Sequence, residues 1–328
     1  MLYSIHFLRF IAATGVVVHH SEVLARWNIV VGSAGVDVFF VISGVVIGLS
    51  TPSEMSIRDF LVRRFIRIYP LYWLALIAWL AYSIGTGAVQ PVAEVVRSAL
   101  LIPDLSREWF PVYVPAWTLV FEVFFYVVFA ACMLSGRFAR PLCCVVLIAL
   151  ALTFSQPGNP QIYFGHATLL FEFVAGMVIA GAVARGWVPG PAFGALIVAV
   201  AVVWFAVNAT PSYELRVRYW GIPAVLTVFG MLGFEKLRLL RSRAAIFGGN
   251  ASYAIYLTHL TVIQATVLMA KRQGFQPRLI YILAMIPAAL AIGGLVYLAI
   301  DKPLLNWLRP MLLHRRDDRE RVAASRPM

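Results

Sequence analysis

The sequence predicts an all-α protein, a polytopic membrane bundle of about ten transmembrane helices with both termini cytoplasmic. Three observations lead there. Of 328 residues, 61% are hydrophobic and 13% charged, against roughly 45–50% and 25% in a soluble domain. Mean hydropathy is +0.84, and apolar stretches of about 20 residues, long enough to span a hydrocarbon core, recur from end to end. These stretches lack the period-two alternation of barrel strands, so helices must satisfy the backbone inside lipid.

The segments fall near residues 5 to 25, 33 to 50, 68 to 88, 116 to 135, 141 to 156, 166 to 184, 192 to 208, 217 to 234, 250 to 270 and 279 to 300. The first has neither the basic run nor the small-residue cleavage site of a signal peptide and carries Arg9 and His20, so it reads as a retained helix. In the second, Asp37, Val41, Gly44 and Gly48 recur at helical spacing. They form a small-residue face suited to close packing, with Asp37 near the outer end. The third follows SIRDFLVRRFIRIYPLYWLAL, with Arg63, Arg64 and Arg67 at its cytoplasmic start and Tyr69, Tyr72 and Trp73 explicable as an interfacial aromatic belt. The connection near 86 to 115, with Gln90, Glu94, Arg97, Asp104 and Trp109, is the longest one outside and is expected to cover or admit a polar substrate. In the fourth, PAWTLVFEVFFYVVFA, Thr118, Glu122 and Tyr126 share one face. Glu172 is a further intramembrane carboxylate, and Ser252, Tyr256 and His259 make one polar stripe in GGNASYAIYLTHL.

A net charge of +12 would suggest nucleic acid in a soluble protein, so the location of the basic residues matters more than their sum. Of the 27 Lys and Arg, Arg9 lies in a span; with the N-terminus inside, the others divide 18 to 8 in favour of the cytoplasm. Lys271, Arg272 and Arg278 run against that rule. Cys132, Cys143 and Cys144 lie in or beside apolar segments with no ligand spacing around them, so no disulfide framework, zinc site or other metal site is read from them. Residues 1–310 form one domain, and 311–328 are a basic, solvated cytoplasmic tail. No internal repeat is evident, which weakens the case for an inverted-repeat transporter.

Ionisable groups within spans are costly unless they meet a partner or water, which makes each a functional candidate. Arg9 and His20 are eleven positions apart, three turns plus about 20°, so they share a face about 16 Å apart along the axis. His19 points about 100° away. A neutral histidine suits general-base work near pH 7. The bland alternatives are that Arg9 snorkels to headgroups and that the histidines pack. Arg63, Arg64 and Arg67 suit the phosphates of a CoA thioester, although the positive-inside rule also places arginines there. Glu122 can orient His20, bind acceptor hydroxyls, or bridge two helices.

The combination resembles the acyltransferase-3 family of integral-membrane acyltransferases, and within it the exopolysaccharide-production acetyltransferases. The resemblance lies in SIHFLRFIAATGVVVHH, GSAGVDVFFVISGVVIG, FLVRRFIRIYPLYWLAL, PAWTLVFEVFFYVVFA, FEFVAGM, GGNASYAIYLTH and IDKPL, in order over most of residues 1 to 303. It implies a ten- or eleven-helix enzyme that moves an acyl group, commonly acetyl from acetyl-CoA, onto a hydroxyl of an extracytoplasmic or lipid-linked glycan. The family's Arg, ten residues, His signature selects Arg9 and His20. Arg63, Arg64 and Arg67 match its basic motif, Glu122 and Tyr126 the block after Trp-Thr-Leu, and Ser252, Tyr253, Tyr256 and His259 the late block. Two departures stand out: His6 replaces an acidic residue found in some members, and Asp301, Lys302, Pro303 replaces the usual Glu-x-Pro.

The expected reaction is O-acetylation of an exopolysaccharide, surface glycan or lipid-linked saccharide in a bacterial inner membrane. His20 serves as general base or acyl carrier, with Arg9 and Glu122 beside it, and Arg63, Arg64 and Arg67 hold acetyl-CoA. Asp37, Tyr126, Ser252, Tyr256 and His259 are the candidates for acceptor binding or oxyanion stabilisation. Some relatives carry an appended hydrolase-like domain; the chain ends soon after its last span and is expected to act alone or with a separate polysaccharide-biosynthesis partner. Membrane lipids are the other expected contacts, and no nucleic acid is. A lipid-linked saccharide flippase or transporter, with the same ionisable residues lining a pathway, is the main alternative, and a membrane sensor or scaffold with degenerate chemistry the third.

Overall fold

A computed structural model describes residues 2–21, 30–103, 110–154, 167–208, 215–272 and 279–313. Arg26, Asp104, Arg107, Trp109, Arg278 and the tail from residue 314 lie outside the described residues, which hold twelve α-helices and no strand. The helices are α1 (Tyr3–His20), α2 (Gly35–Ser50), α3 (Ile57–Gly85), α4 (Val92–Leu100), α5 (Trp117–Cys132), α6 (Ala139–Phe154), α7 (Leu170–Ala184), α8 (Pro191–Val207), α9 (Ile222–Met231), α10 (Arg243–Arg272), α11 (Leu279–Val296) and α12 (Lys302–Leu313).

Each of the ten apolar segments overlaps one of these helices; α4 and α12 are additional. Seven helical stretches among the described residues are long and apolar enough to cross a membrane, and α8 is a shorter apolar helix. One of the seven, Val114–Phe154, is really two: at Gly136 the backbone turns to φ 58°, ψ −120°, a conformation open to glycine, and separates α5 from α6. Large apolar side chains such as Ile77, Val178 and Leu295 are exposed on the outside, while Asp37, Glu172, His259 and Asp301 are buried within. That is the polarity of a bundle whose surrounding solvent is hydrocarbon.

The predicted small-residue face of α2 packs on α7. A Cβ on Gly44 would strike the Phe173 carbonyl, and one on Gly176 the Val41 carbonyl. α1, which carries Arg9 and His20, is fixed at its start by a residue distant in sequence. The Glu235 carboxylate accepts the Tyr3 and Ser4 amides, each at 2.9 Å, and the Ser4 hydroxyl. It thereby satisfies amides that an α-helix leaves unpaired at its N-terminus and complements the helix dipole.

Part of the connection near 86 to 115 folds back along α3. Tyr69 and Tyr72 donate their hydroxyls to the carbonyls of Leu100 and Ser98, and the Trp73 indole donates to that of Ala99. The end of α4 therefore lies beside residues 12 to 16 positions back from the end of α3, about 18–24 Å down its axis. Such a fold-back is tolerated at membrane depth when protein groups take the free carbonyls. These three aromatics thus cap α4, a partner the belt reading did not include.

Two short π-helical turns, Val217–Gly221 and Tyr297–Asp301, lead into α9 and α12. Arg216 immediately precedes the first and Asp301 ends the second, so both turns deliver a charged side chain to the interior.

Candidate active site

The end of the bundle at which α2 finishes and α3 begins opens into a cavity of about 450 Å³. Five arginines and one carboxylate line it: Arg9 from α1, Arg63, Arg64 and Arg67 from α3, Arg309 from α12, and Glu122 from α5. Arg64 donates to Ser50 Oγ at 3.0 Å, and its guanidinium carbon lies 5.3 Å from the Phe60 ring centroid and 5.6 Å from that of Tyr126. Arg67 lies 3.8 Å from Asp301 and over the Tyr253 ring. The Nε atoms of Arg9 and Arg64 are buried with no hydrogen-bond partner among the described residues. Buried donors are nearly always satisfied, so this excess of guanidinium groups is suited to an anion.

Glu122 sits among these cations and accepts from Ser43 Oγ at 3.0 Å and from the Tyr126 hydroxyl. Its described partners do not include His20, because its turn of α5 faces the arginines. Glu122 and Tyr126 do share a face, as their spacing predicts.

The inner limit of the cavity is formed by Val36, Phe39, Phe40, Thr118 and Tyr256. The Tyr256 hydroxyl donates to the Pro115 carbonyl at 2.9 Å and lies 2.9 Å from Thr118 Oγ1. Behind Tyr256 stands His259, with ring centroids 5.7 Å apart, and His259 Nε2 is 3.2 Å from His20 Nδ1. Arg9 and His20 thus occupy one helix but two compartments, the arginine in the cavity and the histidine beyond its aromatic limit.

Several candidates have other partners. Ser252 is fully buried and gives its hydroxyl proton to the Gly249 carbonyl of its own helix, while Tyr256 commits its single proton to Pro115. Neither hydroxyl is free to donate to an oxyanion in this arrangement. Asp37, read as a candidate for acceptor binding, is enclosed by protein. It is fully buried and paired bidentately with Arg216, Nε to Oδ1 at 3.0 Å and Nη2 to Oδ2 at 2.7 Å. Arg216 also donates to the Ser33 carbonyl and stacks on Trp117 and Trp220. Beside them, buried Glu172 leaves no room at Gly221, where a Cβ would come within 2.7 Å of Oε1. A pair so enclosed ties α2 to the start of α9.

Ser43, Arg216 and Arg309 do not stand out as site residues in the sequence. A faint signal exists for Arg309: Leu305, Arg309 and Leu313 recur every four residues and all three line the cavity. Among the described residues no three His, Cys, Asp or Glu side chains gather closely enough to hold a metal.

Residues 2–298 match the acyltransferase domain family. The exopolysaccharide production protein ExoZ of Rhizobium meliloti (strain 1021) is 31% identical over 304 residues, 88% of this chain and 94% of that protein. Acyltransferase MdmB of Streptomyces mycarofaciens is 26% identical over 318 residues, 84% of this chain and 82% of that protein. No solved structure matches the chain.

Proposed function

The chain belongs to the acyltransferase domain family and is a multi-pass membrane acyltransferase, and from that premise we propose that it transfers acetyl from acetyl-CoA to a hydroxyl of an exopolysaccharide, surface glycan or lipid-linked saccharide. One observation carries the reading. A cavity lined by arginines ends at Tyr256, whose ring lies against His259, and His259 touches His20. An anion site and a basic histidine are thereby joined in line, as a long donor with phosphates at one end and a thioester at the other requires.

In this reading Arg63, Arg64, Arg67 and Arg309 hold the phosphates, while Arg9, Glu122 and Tyr126 flank the pantetheine arm. His20 takes the proton of the acceptor hydroxyl as its oxygen bonds to the thioester carbonyl carbon. The carbon–sulfur bond then breaks, and His20 returns the proton to the departing thiolate. A covalent acyl-histidine is the variant, and it gives ping-pong kinetics. The motion that brings thioester and His20 together has to displace Tyr256 or Phe39.

The same reading places ten crossings in a bacterial cytoplasmic membrane, with both termini inside, residues 1–310 as one domain and 311–328 as a tail. It sets the arginine end of the cavity on the cytoplasmic side, where acyl-CoA is found. Membrane lipids surround the domain, and polysaccharide-biosynthesis proteins supply the acceptor.

The test is transfer of radiolabelled acetyl from CoA to membrane glycan by purified protein. His20→Ala is expected to lose on the order of 10²-fold or more in rate. Undiminished transfer by that variant overturns the role of His20, and saccharide translocation without acetyl-CoA consumption overturns the enzyme reading in favour of a transporter.

A further inference from the structure

The contacts around the two facing histidines restrict where their protons sit. His20 Nδ1 lies 3.0 Å from the Val16 carbonyl oxygen, one turn back in α1. His259 Nδ1 faces the Tyr256 carbonyl oxygen in the same way within α10. A carbonyl only accepts, so each Nδ1 carries a proton when both rings are neutral. His259 Nε2 is then a bare lone pair, and it points at His20 Nδ1 from 3.2 Å. The His20 Nδ1 proton is therefore shared between Val16 and His259. The reverse arrangement, with His259 Nε2 donating to His20 Nδ1, would set the His20 lone pair against the Val16 carbonyl. It would also either do the same to His259 and Tyr256 or leave His259 charged while fully buried.

We propose that His259 is a positioning residue that holds His20 in the Nδ1–H tautomer and leaves His20 Nε2 as the atom that removes the acceptor's proton. This rests on His20 being the base, as set out above. His259 does for His20 what the buried aspartate does for the histidine of a serine protease, but with a neutral acceptor. When Nε2 takes the proton, the Nδ1–H bond to His259 becomes charge-assisted and strengthens as positive charge develops on His20. The arrangement introduces no buried carboxylate, which is consistent with Glu122 being committed to Ser43 and Tyr126 instead. His259 is removed from the acceptor-binding and oxyanion candidates: both ring nitrogens are already engaged.

The experiment combines selective ¹⁵N-histidine NMR of the purified protein with steady-state kinetics. In the wild-type protein the His20 signals, assigned by their loss in His20→Gln, should show a protonated Nδ1 and an unprotonated Nε2 at a pH where the ring is neutral. A protonated Nε2 there overturns the proposal. His259→Leu should lower kcat by about 10²-fold, within the 10²–10⁴-fold that a positioned base supplies, and leave KM for acetyl-CoA within about twofold. His259→Gln places an acceptor oxygen near the former Nε2 and should recover much of the rate with the wild-type tautomer. Retained kcat in a folded His259→Leu protein overturns the proposal, as does a His259→Gln protein no better than the leucine variant. If His259→Leu does not fold, the wild-type tautomer and the glutamine variant decide. Activity surviving in His20→Ala overturns the underlying base reading; an inactive His20→Ala beside an active His259→Leu overturns only the positioning role.

Discussion

Arg64 is preorganised by its surroundings. With one nitrogen on Ser50 and its guanidinium carbon 5.3 and 5.6 Å from the ring centroids of Phe60 and Tyr126, it loses little freedom on meeting a phosphate, and its buried Nε has no partner among the described residues. Arg64→Ala is expected to raise KM for acetyl-CoA about tenfold, the loss of roughly one charge-assisted hydrogen bond, with kcat much less affected. Arg64→Lys should not restore it, because an ammonium lacks the planar fork that meets a phosphate bidentately. Initial rates over a range of donor concentrations check this, and an unchanged KM would leave the cluster with a purely topological role. Asp37→Ala is a different experiment. It strands the Arg216 guanidinium, 4% exposed, without its carboxylate, and should cost about 3–5 kcal/mol of stability, seen as a lower Tm in detergent before any effect on donor affinity. The residue types at these sites were legible in the sequence because ionisable groups are conspicuous in apolar spans. Their partners were not, since Asp37 and Arg216 stand 179 positions apart and no periodicity links them.

Glu235 shows the same limit at the level of an element. The spacing of Arg9 and His20 on one face followed from helical geometry alone, yet what anchors that helix is a carboxylate 231 and 232 residues away. Glu235→Ala should destabilise the protein by about 1–2 kcal/mol, the usual cost of losing an N-terminal cap, and Glu235→Asp by less; thermal unfolding followed by tryptophan fluorescence measures both. That α2 packs closely through one face was readable from the spacing of Gly44 and Gly48; that α7 is the helix it meets was not. The fold-back of α4 was not readable, because Tyr69, Tyr72 and Trp73 look the same in sequence whether they face headgroups or helix-end carbonyls. α12 adds a further case. It lies beyond the residues that match the family, yet contributes Arg309 to the cavity.

Across the whole molecule, the proposed topology sorts most of the basic residues that make the chain +12 to the cytoplasmic side, and five arginines line the cavity. The proposed topology predicts that a fluorescent protein fused to the C-terminus fluoresces and that a periplasm-dependent reporter there stays silent; the opposite pair of results inverts the orientation and moves the arginine end of the cavity away from the CoA pool. The aromatic limit formed by Phe39 and Tyr256 between the arginines and the histidine pair has an electrical consequence. Acyl-CoA carries several negative charges, and driving one elementary charge through an energised bilayer involves about 2.3 kcal/mol per 100 mV. If the phosphates stay with the arginines and only the uncharged acyl group passes Tyr256, turnover moves no net charge through the septum. Acetylation by protein reconstituted in vesicles should therefore proceed at the same rate with and without an imposed diffusion potential.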